Sequence, residues 1–105
     1  MFSYSGRKHS GGVGGQLVTK EDDILSPIPS QRLCAHSPDG FNWGYGGSSP
    51  AQLALALLLD ATGDEKTARE YHQDFKWEFV AKWGDIWHIT REEILAWVKQ
   101  RKEGK

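Results

Sequence analysis

The sequence predicts an α+β fold: a small amino-terminal antiparallel sheet or hairpin packed on three carboxyl-terminal helices around a central buried helix. Three observations carry that expectation. The first half consists of short alternating runs broken by glycine and proline, as strands and their connections are. The run AQLALALLLDA at 51–61 is apolar nearly all round, which marks a helix buried on most sides. The stretches on either side of residue 90 place apolar residues three and four apart, the period of amphipathic helices. A length of 105 residues suits one domain, 1–105, and offers material for only one core.

In chain order, residues 2–8 open with Phe2 and Tyr4 alternating with polar neighbours, the pattern of a strand. SGGVGG at 10–15 ends it and reads as a mobile loop or hairpin end, because glycine loses the most backbone entropy on folding. Residues 16–20 form a second strand. SPIPS at 26–30 sets two prolines two apart and reads as an extended, exposed linker, neither helix nor central strand, so that 5–30 is expected to be flexible in part. Residues 31–36 alternate as a strand, SPDG at 37–40 has the chemistry of a type I turn, and residues 41–45 alternate aromatic with small or polar. The expectation is a β-hairpin projecting Phe41, Trp43 and Tyr45 from one face.

Gly44, Gly46 and Gly47 then permit a sharp change of direction, and Ser48 or Ser49 can cap a helix whose first residue is Pro50. That central helix spans 50–62 and ends at Gly63, a left-handed cap. Asp64 starts a second helix running to about Trp83, striped by Ala68, Tyr71, Phe75, Phe79 and Trp83. Trp77 points about 200° away from Phe75 and must either meet another element or stay exposed. Residues 84–90 read as a connection or edge strand. Thr90 and Glu93 form a capping box for a third helix, on which Ile94, Trp97, Val98 and Arg101 share a face. The basic tail at 99–105 is expected to fray.

A formal charge of −1 excludes any global field that would draw the chain onto nucleic acid or an anionic membrane. Cys34 is the only cysteine, so an intrachain disulfide is impossible and a reducing, cytoplasmic setting is expected. No apolar run approaches membrane-spanning length. The glycine loop feeding a helix offers backbone N–H groups to an anion at Gly46, Gly47, Ser48 and Ser49, but the GxxxxGK[ST] spacing of a phosphate loop is missing. Five tryptophans are many for this length. Trp83 and Trp97 lie on helical stripes and read as core, which leaves Trp43 and Trp77 as candidate binding anchors. His36, Asp39, His72 and His88 show no metal-binding spacing, so neither cofactor nor metal is expected, and Cys34 near His36 lacks an orienting third group. For nucleic acid, Trp43 or Tyr45 with Arg32 is the best pairing of ring and cation on offer.

HSPDGFNWGYGGSSPAQLALALLLD at 36–60, YHQDFKWEFVAKW at 71–83 and WHITREEILAWV at 87–98 resemble an uncharacterised family of small bacterial and bacteriophage proteins, a domain of unknown function. The resemblance implies a mobile-element setting. By analogy of context it points to a non-enzymatic protein that binds a host or defence-system protein, in its sharpest form a counter-defence inhibitor of the anti-CRISPR kind. Trp43, Tyr45, Gly46, Gly47, Ser48, Ser49 and Trp77 would carry the contact. The alternative is binding of nucleic acid or nucleotide phosphate at the loop-to-helix junction with Arg32. A hydrolytic enzyme using His36 and Asp39 ranks last, and self-association through Trp77 into a homodimer is a further expectation to test.

Overall fold

The computed structural model describes residues 2–9, 11 and 14–104. Its frame is a four-stranded antiparallel sheet of β1 (Ser3–Arg7), β2 (Val18–Lys20), β3 (Asp23–Ile24) and β4 (Ile86–Thr90) in the order β3-β2-β1-β4. The strand period of two decides its faces: Tyr4, Gly6, Val18, Trp87 and Ile89 turn inward, while Ser5, Thr19 and His88 form a polar row outside. The expected edge strand at 84–90 is thus β4, paired to β1 with Tyr4 opposite Ile89 and Gly6 opposite Trp87.

Among the described residues, four α-helices complete the fold: α1 (Ile28–Leu33), α2 (Ser48–Thr62), α3 (Glu65–Glu78) and α4 (Arg91–Glu103). The run that is apolar all round is α2, and Leu53, Leu55, Leu57 and Leu58 are fully buried. It packs on α3 and α4 and shares one core with Tyr4, Val18 and Trp87 of the sheet. At roughly 1.5–3 kcal/mol per buried leucine, this helix supplies a large part of the drive to fold. Gly63 closes it at φ 67°, and Asp64 caps α3 by accepting from the Lys66 N–H. Thr90 and Glu93 make the expected capping box of α4.

Several expectations are corrected. SPIPS is not an extended linker: Pro27 is the N-cap of α1 and Pro29 lies in its first turn, where a missing N–H costs nothing. The predicted strand at 31–36 is the rest of α1 and its exit, so the 31–45 hairpin does not form. Phe41 instead makes an isolated bridge to Gln16. The N-cap of α2 is Gly47, with Ser48 and Ser49 already helical. The second helix ends at Glu78 and continues as a 3-10 turn, Val80–Lys82. The tail does not fray at Lys99, because α4 runs to Glu103 and Arg101 pairs with Asp74 across to α3. The parts of the glycine-rich reading at Ser10, Gly12 and Val13, and Lys105 of the tail, lie outside the described residues.

Candidate functional site

Tyr45, Gly46, Gly47 and Trp77, expected from different parts of the chain, meet at one surface. Tyr45 stands in the turn before α2 and Trp77 in the last turn of α3; the Trp77 ring reaches Gly46 and the Tyr45 ring lies against Gly47, the next residue. Both rings lie on glycine backbone. A methyl group at Gly46 would overlap the benzo edge of Trp77, with Cζ3 2.5 Å away, and one at Gly47 would come within 2.5 Å of Tyr45 Cε2. The glycines are therefore the floor of the patch, which an alanine in either place would occupy. Trp77 is 57 % exposed and Tyr45 46 %, so both aromatic rings remain open to a partner.

Lys76 is the residue that sequence reasoning passed over. It is only 6 % exposed, and its ammonium sits 4.3 Å from the centre of the Trp77 ring and 3.4 Å from the Gly46 carbonyl. A lysine has three N–H donors and is seldom this buried without a carboxylate. The nearest carboxylates along the helix are engaged elsewhere: Asp74 pairs with Arg101, and Glu78 accepts from the Trp97 indole N–H. Lys8 adds a second cation beside the turn, its ammonium 3.4 Å from the position a Gly44 side chain would take.

The other expected site residues lie elsewhere. Trp43 has no exposed surface; its indole N–H donates to the Gly84 carbonyl at 2.7 Å and its ring meets Trp87 edge-on at 5.6 Å. With no hairpin, Trp43 and Tyr45 share no outward face. Arg32 is exposed in the last turn of α1. Ser49 bonds Ser37 through their hydroxyls at 2.9 Å, fastening the loop ahead of α2 rather than presenting a free group. Trp97 is core, as expected, whereas Trp83 is half-buried and stacks on Trp87 at 4.1 Å.

A second constellation appears behind the patch. His36 and His72 meet with their Nε2 atoms 2.9 Å apart. The His72 Nδ1 lies 2.8 Å from the Arg69 carbonyl and 3.2 Å from that of Ala68, so it carries a proton and donates. Its Nε2 is then the acceptor, and His36 Nε2–H is the donor. Burial holds the His36 pKa below its ordinary value, and the nearby His72 and Lys76 push the same way. Spacing along the chain gave no sign of this pair, because 36 residues separate its members. Asp39 and His88 do not join it, and among the described residues no group of three or more His, Cys, Asp or Glu side chains is placed to hold a metal ion.

The described residues contain no helix long and apolar enough to cross a membrane. A family model described as a family of unknown function (DUF6166) matches residues 4–100, and the chain belongs to that family. No curated protein and no solved structure matches the chain.

Proposed function

We propose that this protein works by binding another protein at the surface formed by Tyr45, Gly46, Gly47, Lys76 and Trp77, and that the segment it takes presents a carboxylate beside an apolar side chain. The observation that carries this reading is the state of Lys76. A buried ammonium with one long hydrogen bond and one ring as company has donors to spare, and a partner's carboxylate would complete its shell in a charge-assisted contact. The exposed faces of Trp77 and Tyr45 on either side suit an apolar anchor, and tryptophan and tyrosine are the side chains most often found to dominate interface energies. The mobile-element context implied by the resemblance makes a host or defence-system protein the natural class of partner.

The test is capture on the full tagged chain from a bacterial host, with and without nuclease, followed by titration of the purified partner. A nuclease-resistant partner should bind Trp77→Ala at least tenfold more weakly, and neutralising the acidic residue of its bound segment should cost a similar factor. Partners lost on nuclease treatment would favour nucleic acid stacked on the same rings and overturn the protein reading, as would equal affinity for wild type and Trp77→Ala.

A further inference from the structure

Taking the aromatic patch as the docking surface, we propose that the His36–His72 pair is an acid-sensitive latch that clamps the loop ahead of α2 onto α3 and, through Lys76, fixes the pose of Trp77. His36 lies in the connection between α1 and α2, and His72 is buried on α3. Their bond, with the Gln52 side chain accepting from the His36 and Ser37 N–H groups at 2.8 and 2.9 Å, holds that loop in place.

The chemistry of two imidazoles fixes how the latch responds. With His72 Nδ1–H committed to backbone carbonyls, one added proton can go only to His36 Nδ1. That leaves the N–H···N bond intact but creates a cation beside Lys76. A second proton must take the lone pair of His72 Nε2, which removes the acceptor and sets two N–H groups against each other. The pair then cannot stay closed. The titratable groups facing His36 from α3 are His72 and Lys76, and a positive charge on either opposes its protonation. Gln52 of α2 is uncharged, and Arg32 on α1 and Asp39 in the same loop are exposed. Lys76 connects latch to patch: it follows His72 by one turn on the same buried face of α3, and its ammonium is the one placed on the Gly46 carbonyl and the Trp77 ring.

A metal ion bridging the two Nε2 atoms is the weaker reading of this geometry. The ring centres stand 5.0 Å apart, close to the head-on arrangement in which the lone pair and the N–H point at one another rather than converge on a third atom.

The experiment is an NMR titration of the full 15N-labelled chain from pH 8 to pH 4.5. It follows the histidine ring nitrogens, hydrogen-exchange protection of the amides at 35–40, and the Trp77 indole N–H assigned with Trp77→Phe. At pH 8 the rings should show the two tautomers given above. Below pH 6.5 the protection of the loop should fall at least tenfold, and the Trp77 signal should move with the same midpoint. His72→Gln keeps an acceptor for His36 but cannot take the second proton, so its loop should stay protected to the acid end. If that variant does not fold, His36→Gln serves the same purpose, because its amide can donate to His72 Nε2 and, turned over, accept from the protonated ring. Protection factors that do not change with pH, or a glutamine variant that opens at the wild-type midpoint, would overturn the latch. A loop that opens without any movement of Trp77 would overturn its coupling to the patch. Failure to find a protein partner would count against the docking reading alone and leaves these readouts standing.

Discussion

Adding one methyl group at Gly46 should separate binding from folding. An alanine Cβ there overlaps the outer edge of the Trp77 indole, with Cζ3 2.5 Å away, and that edge is the free end of a side chain more than half exposed. The ring can swing into solvent, so the fold loses chiefly the Lys76 cation–π contact, about 0.5–1 kcal/mol. The proposed docking surface would lose its anchor. Gly6 provides the contrast, because a methyl there would lie 2.5 Å from Trp87 Nε1 and 2.8 Å from Trp43, both buried between sheet and helices and without room to move. Overpacking of that kind costs about 1–3 kcal/mol. At about 4–8 °C per kcal/mol for a domain near this size, Gly6→Ala should melt well below wild type and Gly46→Ala within a few degrees of it. Thermal unfolding by circular dichroism gives the first half of the comparison, and titration of the partner identified by capture gives the second. Gly46→Ala should bind at least tenfold more weakly with its fold intact. Wild-type affinity in that variant, together with a displaced Trp77 indole signal, would refute the claim that the pose of Trp77 on glycine matters.

Three further outcomes follow from single contacts. His36 has a pKa held below 6.5 in the folded chain, so between the two values the unfolded chain binds more protons and stability is lost as pH falls; urea midpoints should drop as pH falls below 6.5, and less steeply in His36→Gln. Tyr4, whose pKa is raised by burial and then by Asp60, donates to the Asp60 carboxylate at 2.6 Å; Tyr4→Phe should cost about 1.5–3 kcal/mol in urea unfolding, toward the lower end because Lys20 still pairs with Asp60 at 3.1 Å. Thr90→Ala removes the capping box of α4 and should cost about 1 kcal/mol, read as a lower urea midpoint at unchanged slope.

What could be read from the chain was whatever local chemistry decides. α2, α3 and α4 follow from apolar period, the Gly63 stop and the Thr90–Glu93 box, since each signal lies within a few residues of its effect. The 31–45 hairpin failed for the complementary reason. Alternation over six residues does not distinguish a strand from the flank of a short helix, and Pro27 at the N-cap and Pro29 in the first turn stand at the end of a helix that tolerates them. Of the site, the exposure of Trp77 was half legible, because its angle from the apolar stripe excluded it from the α2 interface. That Gly46 lies beneath it was not legible, for the contact spans 31 residues and depends on how the α2–α3 hairpin closes. Lys76 was hidden for the same reason, as a lysine between two aromatic positions reads from sequence as solvated.

Among the five tryptophans, Trp77 is the one left most open to solvent. Trp43 gives its N–H to the Gly84 carbonyl, Trp97 gives its own to Glu78, Trp83 stacks on Trp87, and Trp87 is pressed against Gly6 with its N–H buried and unbonded. Removing any of those four opens a gap in the core or exposes the ring beneath, with a cost of about 3–5 kcal/mol for one fully buried. Trp77 is more than half exposed and lies over the Gly46 backbone and the Lys76 ammonium, so Trp77→Ala should cost the fold little. A large exposed ring with so small an expected part in stability is accounted for by the proposed docking contact, in which the Lys76 ammonium beside it meets a partner's carboxylate. If Trp77→Ala instead proves as destabilising as Trp43→Ala, the ring is structural, and the argument that this surface is kept for a partner fails with it.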